Sequence, residues 1–453
     1  MTKTDVLVIG GSAAGIVAAR TGKTFYPDKD VMLIRREPTV LVPCGIPYIF
    51  GTLKASDKNV IPDAPLEKVG VKIQIGEVVK IDAENKTCTT RDDQEISFEK
   101  LIIATGSTPA VPGWLKGADL ENVFLIPKDK VYLDGVREKL DGCKNIAVVG
   151  GGFIGVEVAD ELKKLDKNVT IVELLPHILM LAFDEEVAIE AEKALISRGI
   201  NIKAGSGIKE ILGDKKASGV LLNNGEKMDV DAVILATGYR PNTAFAKNSG
   251  MELNNMGFIR VDEYMRTEKN SDIFAVGDCA EKRDFITGKK IGLMLASTAC
   301  VEARLAGFNL YNIGFMKTHN GTIATFCTAI GDAAFGAAGI TENQACKEGY
   351  DIVTGTYEGI SKHPGTLPGA NKQIVKLIAT RESGLLLGGS VIGGPCIGEF
   401  INFMSIVIQN RMTVYSALTA QIGTHPLLTG SPIVFPFSMA LDEVVKEMRK
   451  KSK

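Results

Sequence analysis

The 453-residue sequence contains no Cys-x-x-Cys pair and no grouping of cysteine and histidine at the spacing of a zinc site. Its eight cysteines are scattered and its histidines number only four, so no metal site is predicted. No basic and then apolar leader precedes the first apolar strand, which argues against a secreted, disulfide-stapled protein. These absences favour a cytoplasmic protein with reduced cysteines.

A strong charge imbalance and long apolar runs are also missing. Lys and Arg number 52 and Asp and Glu 54, which leaves a formal net charge of −2. Neither a nucleic-acid partner nor an anionic membrane surface is therefore predicted. Apolar stretches are interrupted before the roughly eighteen residues that a membrane-spanning helix needs. Glycine, by contrast, is abundant at 48 residues, as in chains whose backbone closely approaches a large ligand.

The N-terminal residues carry the pattern of a dinucleotide-binding βαβ unit. An apolar strand at 5–9 is followed by Gly10-Gly11-Ser12-Ala13-Ala14-Gly15, a helical stretch to about residue 23 and a second strand at 31–34. In such a fingerprint the first glycine makes a tight turn, the second admits a pyrophosphate, and the third lets helix and strand pack closely. Here Ser12 replaces the middle glycine, and Arg35 or Arg36 stands where a ribose-binding acid is expected.

The same pattern recurs in the middle of the chain. A strand at 146–149 leads into Gly150-Gly151-Gly152-Phe153-Ile154-Gly155, then a helix to about residue 165 and a strand at 169–172. Glu173 ends that strand and is placed to accept hydrogen bonds from an adenosine ribose. Its charge disfavours a 2′-phosphate and no arginine follows closely, so NADH is predicted over NADPH. Two fingerprints in one chain predict two nucleotide-binding domains.

From about Thr322 the pattern changes. Strand-like segments at 374–379 and 385–392 lead to a helical segment at 397–409, and no further glycine fingerprint appears. This region is predicted to be a domain of antiparallel sheet and helices, of the kind that dimerises. The predicted fold class is therefore α/β, with two Rossmann-like dinucleotide-binding domains and a C-terminal α+β dimerisation domain.

Three shorter motifs make a family resemblance specific. Ala104-Thr105-Gly106 and Ala236-Thr237-Gly238 each end an apolar strand, and the strand at 272–276 runs into Gly277-Asp278. With the two fingerprints, this order resembles the flavoproteins of the pyridine nucleotide–disulfide oxidoreductase group over nearly the whole chain. The resemblance implies that the first fingerprint binds FAD and the second NAD(P)H. It also implies that Asp278 hydrogen-bonds the ribityl chain of FAD and that Glu157 lies near the nicotinamide.

Domain limits and cofactor contacts follow from this resemblance. It implies an FAD-binding domain at 1–112 and 245–321, an NAD(P)H-binding domain at 113–244 and a dimerisation domain at 322–453. The residues expected to contact the two cofactors are Gly10, Ser12, Ala13, Ala14, Gly15, Arg35, Arg36, Ala104, Thr105, Gly106, Gly277 and Asp278 in the first site, and Gly150, Gly152, Phe153, Ile154, Gly155, Glu173 and Gly238 in the second.

A single cysteine stands where glutathione and lipoamide reductases have two, five residues apart. It lies in Pro43-Cys44-Gly45-Ile46-Pro47-Tyr48, which resembles the single-cysteine branch of the group: coenzyme A disulfide reductases, NADH-dependent persulfide reductases, and NADH oxidases and peroxidases. A helix beginning at Gly45 would favour the Cys44 thiolate. The second sulfur would then come from the substrate, as a mixed disulfide.

Several positions depart from the patterns of this branch. The peroxidases carry a histidine inside the first fingerprint, where this chain has alanines, which argues against an efficient peroxidase. The tyrosines of coenzyme A disulfide reductases are replaced by Thr366-Leu367 and are missing again at 433–438. His425-Pro426 resembles the dipeptide with which glutathione and lipoamide reductases protonate a leaving thiolate across the dimer, although the glutamate that follows it there is missing.

The predicted activity is NADH-dependent reduction of a small sulfur substrate by a homodimer, through Cys44 with His425 and Glu157. Coenzyme A disulfide, coenzyme A persulfide and polysulfide are the candidate substrates, and NADPH is left open as donor. Arg20 and Lys23 fall where relatives that use coenzyme A hold its phosphates, the alternative being solvated helix charges. Alternative functions are an NADH oxidase acting through a Cys44 sulfenate, an electron-transfer flavoprotein that reduces a partner protein, and a redox sensor without turnover.

Overall fold

The computed structural model describes residues 1–316 and 321–450. The chain forms two compact units. The first consists of Met1–Lys144, Ile234–Arg283 and Lys289–Asn320, and the second of Asn145–Val233, Asp284–Gly288 and Gly321–Lys453. The second unit therefore holds both the second fingerprint and the C-terminal region. The finer division into three domains stays a prediction.

The helices alternate with strands along much of the chain. No helix formed by the described residues is long and apolar enough to cross a membrane. In chain order the α-helices are α1 Ala13–Phe25, α2 Ala64–Lys68, α3 Lys130–Asp141, α4 Phe153–Lys163, α5 Glu185–Ser197, α6 Ala244–Asn248, α7 Ala296–Phe308, α8 Glu342–Lys347, α9 Ile397–Gln409, α10 Val414–Leu418 and α11 Pro436–Arg449.

The strands are short in the first two thirds of the chain and longer near its end. In chain order they are β1 Thr2–Lys3, β2 Val6–Ile9, β3 Val31–Arg35, β4 Val40–Leu41, β5 Val60–Ile61, β6 Val71–Ile75, β7 Val78–Asp82, β8 Thr87–Thr90, β9 Glu95–Ser97, β10 Lys100–Ile103, β11 Ser107–Pro109, β12 Val123–Phe124, β13 Asn145–Val149, β14 Asn168–Val172, β15 Asn201–Lys203, β16 Ile208–Gly213, β17 Ala217–Leu222, β18 Lys227–Asp229, β19 Ala232–Leu235, β20 Tyr239–Pro241, β21 Arg266–Thr267, β22 Asn270–Ala275, β23 Lys282–Arg283, β24 Lys290–Ile291, β25 Thr325–Ile330, β26 Ala333–Gly339, β27 Ile352–Ile360, β28 Lys372–Thr380 and β29 Leu386–Gly393.

A parallel sheet forms the centre of the first unit. Its strand order is β21-β22-β10-β2-β3-β6, and only β21 runs antiparallel to its neighbour. Strands of a parallel sheet are buried on both faces, which is why β2 is an unbroken run of Val-Leu-Val-Ile. Helix α1 follows β2 and packs against α7. Their backbones come so close that a Cβ added to Gly307 would lie 2.8 Å from the Cβ of Thr21.

The second unit combines a parallel and an antiparallel sheet. Strand β14 lies between β13 and β15, parallel to both, and helix α4 connects β13 to β14. The C-terminal residues form the antiparallel sheet β25-β26-β29-β28-β27, whose core includes apolar residues of α9 and α11. Asp184, just before α5, accepts hydrogen bonds from the backbone N–H groups of Glu342 and Asn343 at 2.9 and 3.1 Å, which ties the two parts together.

This architecture confirms the fold class predicted from the sequence. Both glycine fingerprints lie between a buried parallel strand and a helix, and the residues after Thr322 form an antiparallel sheet with helices.

Among the described residues, one group of three carboxylates comes close enough to share a cation: Asp184, Glu186 and Glu342. The Lys376 ammonium already lies among them, 2.6 Å from Glu342 and 3.3 Å from Asp184.

Candidate functional site

The first glycine loop is shaped by contacts that only glycine permits. Gly10 has a φ of +114°, and a Cβ on it would lie 2.2 Å from the carbonyl oxygen of Ala104. A Cβ on Gly15 would lie 1.8 Å from the carbonyl oxygen of Gly10, so the first turn of α1 packs directly on the loop. Ser12 is the N-cap of α1 and makes no side-chain capping bond. The loop therefore directs the helix N-terminus and its N–H groups outward, as a phosphate site requires.

The Gly277-Asp278 turn packs against this loop. Gly277 has a φ of +75°, and a Cβ on it would lie 2.9 Å from the Cβ of Ala14. Two buried charged side chains bond the backbone of Gly277. The Gly277 N–H donates to Glu302 Oε2 at 2.8 Å, and Lys282 Nζ donates to the Gly277 carbonyl at 2.5 Å. The side chains of Lys282 and Glu302 are 1% and 7% exposed, and their charged atoms are 3.6 Å apart. The pair therefore fixes the position of Asp278.

Asp278 is held ionised by two further groups that sequence reasoning missed. Ser107 Oγ donates to Asp278 Oδ2 at 2.7 Å, and Lys128 Nζ donates to the same oxygen at 3.0 Å. Burial alone would raise the pKa of Asp278, but the Lys128 charge and these hydrogen bonds outweigh burial and hold that pKa below its usual value. Asp278 is thus a fixed hydrogen-bond acceptor beside the first fingerprint. No local sequence pattern indicated Lys128, which lies 150 residues away.

The two Ala-Thr-Gly segments begin a short antiparallel ladder, β11 with β20. Thr105 Oγ1 donates to the Asn242 carbonyl at 2.8 Å, and Thr237 Oγ1 donates to the Ala110 carbonyl at 2.6 Å. Gly106 and Gly238 have φ values of +67° and +98°, which explains the glycine in each motif. The threonines thus hold the two chain segments together.

Arg35, which is predicted to contact a cofactor, is buried and forms hydrogen bonds with other groups of the protein. It is 3% exposed, and its guanidinium donates two hydrogen bonds to Asp63 at 2.6 Å each. Further bonds at 2.9 Å reach the carbonyls of Glu37 and Pro38. A buried charge needs such a complete set of partners, so Arg35 holds the loop after β3. Arg36 is exposed and pairs with Glu37 at 2.6 Å. Contacts of Arg35 and Arg36 with a nucleotide stay predictions.

Cys44 lies in the first unit, in a 3₁₀ turn formed by Pro43–Gly45, and its side chain is exposed. The α-helix expected from Gly45 is not formed. A second 3₁₀ turn, Pro47–Ile49, follows instead, because prolines at both turn starts break the backbone hydrogen-bond series. A helix N-terminus at Gly45 therefore does not contribute to stabilising the Cys44 thiolate. Buried Asn59 holds the segment, with a hydrogen bond from Nδ2 to the Val42 carbonyl at 3.0 Å.

The second glycine loop lies in the second unit and repeats the geometry of the first. Gly150 has a φ of +108°, and Gly152 is the N-cap of α4, with open space where its Cβ would be. Phe153, Ile154 and Gly155 form the first turn of α4. Glu173 accepts hydrogen bonds from the Gly151 N–H at 2.6 Å and the Leu175 N–H at 2.8 Å. Its carboxylate is therefore held at the edge of the loop.

Glu157 is one turn further along α4. It accepts a hydrogen bond from Thr328 Oγ1 at 2.8 Å. Burial raises the pKa of Glu157 to about 7, against the opposing effect of the Thr328 hydrogen bond and with a further increase from Glu161. Glu157 therefore titrates near neutral pH. Thr328 is 171 residues away, and no sequence motif indicated it.

His425 is exposed in a loop of the second unit. Its Nδ1 accepts a hydrogen bond from the Leu427 N–H at 3.2 Å, so the proton of the neutral ring is on Nε2. The ring is thus oriented as a donor through Nε2.

The sequence also predicts Arg20 and Lys23 as phosphate contacts. Arg20 is exposed on α1, whereas Lys23 Nζ donates to the carbonyls of Pro27 and Lys29, both at 2.8 Å, and holds the turn after that helix.

Within the first unit, the structure brings together the first fingerprint, Ala104 and the Gly277-Asp278 turn. Within the second unit, it brings together the second fingerprint, Glu173 and Glu157 on and beside α4. All eight cysteines lie in the described part of the chain and none forms a disulfide. Each unit therefore carries one nucleotide-type site, and the first also carries the exposed thiol of Cys44.

Comparisons with known proteins agree with this arrangement. Residues 4–303 match the family described as pyridine nucleotide-disulphide oxidoreductase, and residues 326–432 match the dimerisation domain of that family. An NADH oxidase of Methanocaldococcus jannaschii is 31% identical, over 98% of this chain and 99% of the relative. An NAD(P)H coenzyme A polysulfide/persulfide reductase of Pyrococcus horikoshii is 32% identical, over 94% and 95%. The structure of an NAD-dependent persulfide reductase from A. fulgidus superposes with a TM-score of 0.90 at 28% identity, over 98% of this chain and 83% of that one.

Replacing Lys282 by methionine tests the buried pair beneath Asp278. Lys282→Met leaves the Glu302 carboxylate buried without its cation and two carbonyls, of Gly277 and Ala280, without their donor. We expect the free energy of unfolding to fall by about 3–5 kcal/mol, measured by urea denaturation with circular dichroism. Lys269→Met is the control, because its side chain is 65% exposed and its pairing with Glu252 is worth about 0–1 kcal/mol. Equal losses in both variants would contradict the assignment.

Proposed function

The chain belongs to the pyridine nucleotide-disulphide oxidoreductase family, and we propose that it reduces a small sulfur substrate with NADH, through Cys44 and bound FAD. The observation that carries this proposal is the exposure of Cys44 in a turn held by Asn59. The next cysteine, Cys88, is buried, and burial raises the pKa of its thiol to about 12. We assign Cys44 as the attacking sulfur because it is exposed and lies in the motif of the single-cysteine branch, and the second sulfur of the reaction then comes from the substrate.

The residues present fit the two cofactors that the family uses. The first fingerprint offers glycine-shaped space and helix N–H groups for the pyrophosphate of FAD, and ionised Asp278 offers an acceptor for its ribityl hydroxyls. The second fingerprint offers the same to NADH, with Glu173 as acceptor for the adenosine ribose. When bound, FAD would accept two electrons from the reduced nicotinamide and pass them to sulfur.

Cys44 provides the covalent step. Its thiolate attacks one sulfur of a substrate R–S–S–R′, forms a Cys44–S–S–R mixed disulfide and releases R′S⁻, which takes up a proton. Two electrons from NADH then cleave the mixed disulfide to the Cys44 thiolate and R–SH. The sum is NADH + H⁺ + RSSR′ → NAD⁺ + RSH + R′SH. With a persulfide, R′ is hydrogen and the second product is H₂S.

The names of two relatives support a small sulfur substrate. The Pyrococcus horikoshii relative is named an NAD(P)H coenzyme A polysulfide/persulfide reductase, and the A. fulgidus structure is of a persulfide reductase. We infer coenzyme A persulfide, coenzyme A disulfide or polysulfide as the substrate class. Exposed Arg20 is the proposed contact for the coenzyme A phosphates. Lys23 is assigned a structural role, since two carbonyls already occupy its ammonium.

His425 is the proposed proton donor. A leaving thiolate needs a proton, and the Leu427 hydrogen bond to Nδ1 directs the ring proton to exposed Nε2. Residues 326–432 match a dimerisation domain, and we propose a cytoplasmic homodimer in which His425 serves the Cys44 of the partner subunit.

Serine at position 44 is the direct test of the reaction. We expect Cys44→Ser to lower the anaerobic rate of NADH oxidation with coenzyme A disulfide or persulfide by at least about 10³-fold, because a hydroxyl is a far poorer nucleophile toward sulfur. Cys346→Ser makes the same atomic change at another exposed cysteine and should retain the full rate. Undiminished sulfur reduction by Cys44→Ser would refute the proposal.

An NADH oxidase is the second candidate, favoured by the Methanocaldococcus jannaschii relative of that name. In that case two electrons from a first NADH and two protons would convert O₂ to H₂O₂, which oxidises the Cys44 thiolate to a sulfenate with release of water. Two electrons from a second NADH and two protons would return the sulfenate to thiolate with a second water. Wild-type protein in air should then consume two NADH per O₂, and Cys44→Ser one NADH per O₂ with H₂O₂ as product. An electron-transfer flavoprotein would reduce a protein acceptor equally well in both forms.

Nucleotide preference is tested at the end of β14. Glu173→Ala combined with Leu174→Arg removes the charge that repels a 2′-phosphate and adds one that attracts it, at a position whose side chain is 66% exposed. We expect the ratio of kcat/KM for NADH over NADPH to fall by about 10²-fold. Glu185→Gln removes a carboxylate whose side chain is 67% exposed and should leave the ratio unchanged. An unaltered ratio in the double variant would contradict the assignment of Glu173.

A further inference from the structure

Strand β25 of the C-terminal antiparallel sheet packs on α4, the helix of the second fingerprint. Thr328 is 5% exposed, and its hydroxyl donates to Glu157 Oε1 at 2.8 Å. The donor therefore comes from the region that matches the dimerisation domain, and the acceptor from the region that matches the nucleotide-binding part of the family.

Aromatic packing keeps β25 in place against the start of the helix. The ring of Phe326 lies 5.2 Å from that of Phe153, the first residue of α4, and 6.0 Å from that of Phe183. Phe153 and Phe183 are themselves 5.9 Å apart in an edge-to-face arrangement. Because Phe326 and Thr328 point to the same face of β25, the three rings fix the distance from Thr328 to α4.

The charged groups around Glu157 are few. Glu161, one turn along α4, adds a like charge, and its own carboxylate is bonded by Lys164 at 2.5 Å. On β25, burial raises the pKa of the Cys327 thiol, and the charges of Glu157 and of Glu399 on α9 raise it further. Burial raises the pKa of Glu157, whereas the Thr328 hydrogen bond stabilises the charged form. Thr328 is therefore the group that opposes protonation of Glu157.

We propose that Thr328 is a positioning residue that fixes the Glu157 carboxylate and favours its charged form in the nicotinamide site. This inference rests on the proposed function, in which the second fingerprint binds NADH and releases NAD⁺. The ring of NAD⁺ carries a positive charge that a reduced ring lacks, so a carboxylate beside it favours the oxidised nucleotide. Through Thr328, the C-terminal sheet sets how strongly the site prefers NAD⁺.

The test is nucleotide binding to oxidised holoenzyme by isothermal titration calorimetry between pH 5.5 and 9. The two ligands are NAD⁺ and 1,4,5,6-tetrahydro-NAD, which has an uncharged ring and cannot donate hydride. As pH rises, Glu157 loses its proton, so NAD⁺ should bind more tightly relative to the analogue, with a midpoint near pH 7 in the wild type. Thr328→Val should raise that midpoint by about one pH unit. Thr328→Ser keeps the hydroxyl and should therefore have the same midpoint as the wild type.

Two controls separate this role from a structural one. Thr325→Val removes a hydroxyl from the same strand, where it bonds Ser405 at 3.0 Å, and should leave the midpoint unchanged. Glu157→Gln should abolish the pH dependence altogether. An unchanged midpoint in Thr328→Val, with the dependence still lost in Glu157→Gln, would overturn the role of Thr328 and leave the proposed function standing. Absence of NAD⁺ binding to the wild type would overturn both.

Discussion

The close approach of backbone to backbone at the first strand–helix turn is the constraint on which the first nucleotide-type site depends. At the first turn, the Gly10 carbonyl lies where a Gly15 Cβ would be, and the Ala104 carbonyl lies where a Gly10 Cβ would be. Any side chain at these positions would push α1 away from the sheet. With glycine there, the helix begins directly above the strand end and presents its N–H groups at the mouth of the loop. The Gly277-Asp278 turn can then pack against Ala14, and ionised Asp278 comes to the same place.

Short-range features of the site were predictable and long-range ones were not. The two fingerprints, Asp278 and Glu173 lie within or directly after local strand–turn–helix patterns, so spacing along the chain located them. Lys128 and Thr328 act on Asp278 and Glu157 across 150 and 171 residues, and nothing in their own neighbourhoods marks them. Only the folded chain brings these partners within hydrogen-bond distance.

Long-range partners and proline positions also set the surroundings of Arg35 and Cys44. Arg35 ends β3, where a nucleotide contact is predicted, and Asp63, 28 residues on, accepts two hydrogen bonds from its guanidinium. The segment around Cys44 forms two 3₁₀ turns, each beginning with a proline, and no α-helix starts at Gly45. The fold class could be read from pattern because buried parallel strands are apolar throughout, which is a local property. The hydrogen-bond partner of a side chain can lie far away in the sequence, and such partners could not be predicted from local patterns.

Under the proposed function, the Cys44 thiol and the Glu157 carboxylate address two different charge problems of one reaction. Cleaving a disulfide with one protein cysteine releases a substrate thiolate, and that negative charge has to be met by a proton from outside the Cys44 turn. Removing hydride from a nicotinamide leaves a positive ring, and that charge is met by an anion. Under the proposed function, a carboxylate that is always ionised would favour the oxidised nucleotide at every pH, and a neutral group would not favour it. Burial and the Thr328 hydroxyl act in opposite directions on Glu157 and leave its pKa at about 7, between these two extremes.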